Sequence, residues 1–596
     1  MPASNDYVEA DMHVGRKRRL RNLAVNVGAG TLLTIIMLNL PGRAGIPPLV
    51  ESDYCYLLTA ADRFADGNGL TTTYPVAPLQ PWDWQHDWTF LTKWPCGYPI
   101  LVAATRCITG STLSACALIA AIACAASMIG WFHWSRRCVP QGVPGTLLAL
   151  LAAACSVSVA GMINPTTDQL LIAAIPYILL LVIDGVGERH AGPPRVNGAP
   201  HFGMIVTAGL LSGFLFWIRY ASIFVPCAIG VFLGIIALSR RRTAYFRCLQ
   251  AFCFSAMAPV ALLMWINHAL GTEASTVSQL NLGTNVGFHL SVSMLLTAWT
   301  QLTEFSFYAH HAFTKWIFAA WPALLALACL TIPSLKQATA AHLRRPPVVL
   351  SAVLVATLLG VLIVVTTLFA EKFNYIALGR YYEPVKPLYF LLFVAPLLAL
   401  PARYARWGVA ACACLGIAWF MQHEWPRAYE RMASTEREST PYGQWANCFA
   451  PNAGDVYERV RAYGRPDVAV VSNFHEWIML ETGIPALPIP PDEETLGRWV
   501  RRIRRERRVP HVNVVFVLER DNKWRDYWIP ETPTVLAEFG LSPQQSQLRH
   551  PNTYVIYHAA AGNSGIRVSG AEDAPTEVNQ RDAITVTNMN AKIAGQ

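Results

Sequence analysis

Charge is scarce in this sequence. Only 14% of its 596 residues are Asp, Glu, Lys or Arg, against 53% that are hydrophobic. Soluble domains carry roughly twice that share of charge, and a mean hydropathy of +0.31 agrees with a polytopic membrane protein. Metal-ligand spacing is also missing: the 14 cysteines form no CxxC pair and no Cys/His pattern. Most of them, among them Cys116, Cys124, Cys155, Cys253, Cys329, Cys412 and Cys414, fall inside apolar runs and behave as small hydrophobes. Cys55, Cys96 and Cys448 read as unpaired thiols on the outer side, although a Cys55–Cys96 bridge would pin the first loop. No cleavable signal is evident, and no internal duplication of the kind found in transporters is visible. The formal charge of +9 sits largely in short basic clusters beside apolar runs. There it sets orientation and is no nucleic-acid signature.

Apolar runs of ~20 residues can cross the bilayer core. The sequence predicts about eleven such spans, over 23–40, 111–134, 143–162, 168–186, 203–220, 221–238, 249–270, 316–333, 347–369, 387–400 and 407–421. The fifth and sixth meet at WIRYAS. RKRRLR before the first span and SRRC, GERHAGPPRVNG, LSRRRTAYFR, SLKQATAAHLRR and PARYAR between later ones each hold at least two Lys or Arg. NPTTD holds none. The positive-inside rule then puts the basic clusters in the cytoplasm. The first loop (41–110), the 271–315 loop, the 370–386 connection and everything after 421 fall outside. The domain reading is a basic cytoplasmic tail (1–22), a transmembrane domain (23–421), a small extracytoplasmic α/β domain (422–558) and a disordered tail (559–596). In the third of these, PDVAVVSN, HVNVVFVLE and TYVIYH read as strands and EETLGRWVRRIRRERR as a helix.

Three outer-face features need a chemical account. ESDYCYLLTAADRFADGNGL reads as an amphipathic helix with Tyr54, Leu57, Leu58, Ala61 and Phe64 along one side, stopped by Gly67 and Gly69. It places Glu51 and Asp53 at its start, where the helix dipole favours an ionised carboxylate. Asp168 tops a span after NPTT. Arg219, Arg380 and Lys386 sit at outer span ends. Each has a plain structural reading, as a cap or as a cation snorkelling to headgroups. Together they describe an interfacial cavity where cations hold a lipid phosphate and a carboxylate accepts a hydroxyl proton.

DYCYLLTAADRFADGNGL followed by KWPCGYPILVAA resembles the first outer loop of the polytopic glycosyltransferase-C superfamily. The likeness is closest to bacterial relatives of protein O-mannosyltransferases and the lipid A aminoarabinose transferase, and GRYYEPVKP resembles their R-Y-x-x-P-x-x-P motif. The resemblance implies an inverting transfer of a hexosyl or pentosyl group from a polyprenyl-phosphate sugar to an acceptor hydroxyl on a protein, lipid or glycan. Asp53 would be the base, with Glu51 and Asp168 as further acids. Arg380, Arg219, Lys386 and Tyr381 would surround the lipid phosphate, with Tyr54, Trp94 and Tyr98 toward the substrate. The expected location is the plasma or inner membrane, with site and C-terminal domain extracytoplasmic.

The chain departs from the family where Asp53-Tyr54 replaces two adjacent acids, which leaves a divalent cation an open possibility with no certain cofactor. Cys96 also replaces the second Pro of a P-P-G-Y-P segment. No W-W-D-Y-G signature is present, which argues against an oligosaccharyltransferase catalytic subunit. Asp83, His86 and Asp87 in WDWQHDW read first as a sugar-stacking or interfacial loop and second as metal ligands. Glu304, His310 and His311 face either the cavity or water. The alternatives to an enzyme are a flippase for lipid-linked sugars and a non-catalytic scaffold.

Overall fold

A computed structural model describes residues 52–73, 87–157, 167–187, 200–270, 291–305, 312–369, 379–400, 403–419, 454–489, 493–510, 512–519, 541–543 and 554–559. The predicted first span, Glu51, Asp83, His86, His310, His311 and the expected disordered tail beyond Ala559 lie outside them, Ala559 itself ending a strand. The side chain of Asp53 is likewise undescribed.

The chain is an α-helical bundle with a small mixed sheet. After α1 (Ser52–Ala65) and a short β1–β2 pair (Thr71–Thr72 with Thr89–Phe90) come α2 (Gly97–Thr109), α3 (Thr112–Cys138), α4 (Val143–Ala154), α5 (Thr167–Gly185) and α6 (Phe202–Ile218). The bundle continues through α7 (Phe224–Arg240), α8 (Thr243–Leu270), α9 (Val292–Thr303), α10 (Ala312–Thr331), α11 (Pro333–Leu343), α12 (Pro346–Phe369) and α13 (Arg403–Trp419). Among the described residues, five helical stretches are long and apolar enough to cross a membrane: Thr112–Cys138, Thr167–Gly185, Tyr220–Arg240, Thr243–Leu270 and Pro346–Thr367. The other apolar helices are shorter, so the expected eleven spans are not matched one for one. Residues 387–400 show why. Lys386–Tyr389 is α-helical, Phe390–Val394 is a π-turn and Ala395–Ala399 is 3₁₀. Pro396 cannot donate the backbone bond a continuous α-helix needs.

Helix α5 measures the bundle. Asp168 stands in its first turn and Asp184 in its last, a rise of about 24 Å at 1.5 Å per residue. Asp184 pairs with Arg137 at 3.2 Å. Beside that pair, Arg345 donates to the carbonyls of Cys138 and Arg137 at 2.6 and 3.0 Å. The basic clusters SRRC and HLRR therefore share one end of the bundle, and Asp168 marks the other.

The expected strands and helix of the C-terminal part form as read. β3 (Val468–Ser472), α15 (His475–Thr482), β4 (Ala486–Leu487), α16 (Glu493–Arg507), β5 (Asn513–Glu519), β6 (Leu541–Pro543) and β7 (Tyr554–Ala559) follow α14 (Gly454–Arg461). The sheet order is β4-β3-β5-β7-β6, with β3 parallel to both neighbours and the β5–β7 and β6–β7 pairs antiparallel. One apolar cluster runs from Val456, Trp477 and Val515 of this unit into Tyr54, Leu58 and Ala61 of α1.

That continuity corrects the picture of α1 as a helix buried along one side only. Cys55, Tyr56 and Ala60 are as buried as Tyr54, Leu57, Leu58 and Ala61, because α15 covers the second face. Phe64, expected on the apolar side, is exposed at the far end. Gly67 and Gly69 do end the helix, at φ +81° and +77°. Arg507 of α16 latches the same loop by donating two bonds of 2.8 Å to the Asp87 carboxylate. Asp87 is thereby an ion-pair partner, which disfavours its reading as a metal ligand.

Gly97 sets how closely α2 approaches α6. A Cβ at this position would meet the Trp217 carbonyl oxygen at 2.5 Å and its carbon at 2.8 Å. Gly97→Ala is expected to lower stability by about 1–3 kcal/mol, read as an earlier thermal unfolding of the detergent-solubilised protein.

Candidate active site

At the Asp168 end of the bundle lies a cavity of about 420 Å³. Its upper wall comes from segments distant in sequence. Tyr54 and Leu57 enter from the start of α1, Lys93 and Trp94 from the approach to α2, and Asp168 from the start of α5. Arg219 enters from the α6–α7 break, and Arg380 with Tyr381 from the 3₁₀ turn Gly379–Tyr381.

The break at WIRYAS brings Arg219 to the cavity wall. Helix α6 ends at Ile218, Arg219 is extended (φ −156°, ψ 124°), and Tyr220–Ile223 forms a 3₁₀ turn before α7. Tyr220 holds this turn in place by donating to the Thr92 carbonyl at 2.8 Å and accepting from Asn267 at 2.9 Å. The Arg219 guanidinium donates to the Asp168 carboxylate, and both side chains are about 85% buried. The Tyr381 ring lies 5.0 Å from Arg219 and 5.4 Å from Arg380, so one aromatic ring neighbours both cations.

Below this charged rim the lining changes. Leu358, Val361, Leu362 and Val365 of α12 present one aliphatic face at helical spacing, opposite Phe224 and Met264. Lys93, Arg219 and Arg380 outnumber Asp168 among the described lining groups. The cavity is thus cationic at its rim and hydrocarbon-like at its base.

The structure brings Asp168, Arg219, Arg380, Tyr381, Tyr54 and Trp94 together as the sequence expects. Asp53 stands in the first turn of α1, immediately before Tyr54. Two expected site residues are held elsewhere. Tyr98 is buried, its hydroxyl directed at Cys116 Sγ 3.7 Å away, and burial pushes its phenol well above the usual range. Lys386 is buried, with its ammonium paired to Glu383 at 2.6 Å. No Cys55–Cys96 bridge forms, and burial pushes the Cys96 thiol up to about 11. Glu304 closes α9 and does not line this cavity. Among the described residues no three His, Cys, Asp or Glu side chains gather as a metal site.

Sequence reading missed Lys93, whose ammonium lies 4.7 Å over the Trp94 ring. Its position beside Trp94 in KWPCGYP was the available signal. It also missed a support that no local pattern could reveal. Tyr56 stacks on Trp94 at 4.8 Å, and its hydroxyl is 2.7 Å from His475 Nε2 of α15.

No family model and no curated protein matches the sequence. Solved structures do match. The crystal structure of ArnT from Cupriavidus metallidurans in the apo state aligns over 90% of this chain and 99% of its own, at TM-score 0.50 and 12% identity. The same protein bound to undecaprenyl phosphate aligns over 91% and 99%, at TM-score 0.50 and 14% identity. The fold is therefore like that of ArnT. An Archaeoglobus fulgidus oligosaccharyltransferase tethered with an acceptor peptide aligns more weakly, at TM-score 0.43 and 12% identity over 83% of this chain and 69% of that one. Within this fold, the cavity lies where the first-loop helix meets the bundle.

Breaking one partner of the buried Asp168–Arg219 pair strands the other charge. Asp168→Asn and Arg219→Gln are each expected to cost about 3–5 kcal/mol, and the double variant less than their sum. A double-mutant cycle on thermal unfolding checks this.

Proposed function

We propose that this protein is a membrane glycosyltransferase that moves a sugar from a polyprenyl-phosphate donor to an acceptor hydroxyl on the extracytoplasmic side. The observation that carries the reading is the two-part cavity: three cations at its rim and the aliphatic face of α12 at its base. An anionic headgroup on a long hydrocarbon chain matches both halves. The ArnT structure with undecaprenyl phosphate supports the lipid class, since it shares the fold. The orientation is supported by charge: the SRRC and HLRR clusters meet at the opposite end of the bundle, where the positive-inside rule puts the cytoplasm.

In this mechanism Arg380 and Arg219 hold the phosphate, with forked donors suited to its oxygens. Lys93 adds a third positive charge. Asp53, in the first turn of α1, accepts the proton of the acceptor hydroxyl. The hydroxyl oxygen bonds to the anomeric carbon from the face opposite the leaving group. The carbon–oxygen bond to phosphate breaks, and the electron pair leaves with the polyprenyl phosphate. One displacement inverts the anomeric centre. Asp168 is a positioning residue that fixes the direction of Arg219.

The test is turnover of labelled polyprenyl-phosphate sugars by the purified protein with membrane extract as acceptor source. Asp53→Asn is expected to lower the rate about 10²–10⁴-fold, the usual worth of a general base, with folding and donor binding kept. Arg380→Ala is expected to weaken donor binding by about tenfold or more. Full turnover by Asp53→Asn would remove the proposed base, and no donor consumption by the wild type would favour a transporter or scaffold.

A further inference from the structure

A second cavity, of about 470 Å³, opens farther along α1. Tyr54 and Leu57 face the first cavity, whereas Thr59, Asp62, Arg63 and Asp66 line the second. The rise along the helix from Tyr54 to Asp62 is about 12 Å. The turn between α2 and α3 and helix α15 of the C-terminal sheet unit close the other sides.

Its chemistry differs from that of the first cavity. Asp62 and Asp66 are balanced by Arg63 and Arg106, so the charged lining is neutral overall. Arg106 bridges both acids at 3.0 Å, and Thr112 also donates to Asp62. Arg63 lies 3.6 Å over the Trp88 ring while its Nε donates to Thr71 at 2.8 Å. These bonds fix a flat indole–guanidinium surface beside an array of carboxylates and hydroxyls. Asp66 is half-exposed there. Thr59, by contrast, is 4% exposed, and its hydroxyl has no hydrogen-bond partner among the described residues.

From this lining we infer that the second cavity is a binding subsite for an uncharged, polyhydroxylated chain: a glycan portion of the acceptor. A phosphate or a free cation gains little from a neutral lining, whereas a sugar ring presents a flat C–H face to the guanidinium-capped indole and hydroxyls to the carboxylates. The inference rests on the transferase reading for the word acceptor. It adds that the acceptor carries a glycan portion.

Binding can be measured without any donor or turnover, so failure of the transferase reading and failure of this one are distinguishable. The full-length protein, in a detergent without a sugar headgroup, is titrated calorimetrically with uncharged tetrasaccharides of glucose, mannose, galactose or N-acetylglucosamine. At least one is expected to bind saturably. Its affinity should fall about tenfold in Trp88→Ala and in the milder Asp66→Asn, as expected for a lost stack or charged hydrogen bond. The inference is overturned if none binds saturably, or if Trp88→Ala and Asp66→Asn bind as the wild type does.

Discussion

The Asp168–Arg219 ion pair joins two helix ends that lie 51 residues apart in the chain. A charge buried at the end of an apolar bundle is tolerable only with a partner, and each of these residues supplies the other's. The pairing fixes the start of α5 against the α6–α7 break, and the Tyr381 ring then draws Arg380 to the same place. A cationic rim over an aliphatic base follows from that arrangement. So does the sidedness, because the opposite end of α5 carries Asp184 among the basic clusters. The two acids of one helix thus sort the charges of the bundle to its two ends.

Helix α1 depends on a second constraint. It is buried on both sides, between the bundle and α15, and the C-terminal unit is part of its core. Its polar ties to that unit are specific: Tyr56 with His475, and Thr72 and Thr73 with the sulfur of Met479 at 3.5 and 2.9 Å. Trp94, stacked on Tyr56, carries this support to the wall of the first cavity. A C-terminal unit remote in sequence therefore shapes the ground on which Asp53 stands.

Much of the fold was readable because its signals are local. Long apolar runs, basic clusters and β-branched strands register within a few residues, and so α3, α5, the α6–α7 break, α8, α12, β3, β5 and β7 formed where expected. Asp168, Arg219 and Arg380 were legible as charges at span ends. What escaped was set by distant packing. Nothing local marks Phe64 as exposed or Tyr56 as buried, because α15 arrives from beyond residue 470 to cover one face of α1. Tyr98 and Lys386 sit in motifs that look functional, but a neighbouring thiol and a nearby carboxylate hold them in the core. Residues 387–400 read as one apolar run, yet Pro396 divides the backbone into three kinds of turn.

The most direct test asks whether the rim cations hold a lipid phosphate. Native mass spectrometry of the purified protein with undecaprenyl phosphate reads this without any sugar or acceptor. The account predicts one retained lipid in the wild type and in Asp53→Asn, lost when Arg219 and Arg380 are both replaced by alanine. Equal retention in the double-alanine variant, or none in the wild type, would contradict it.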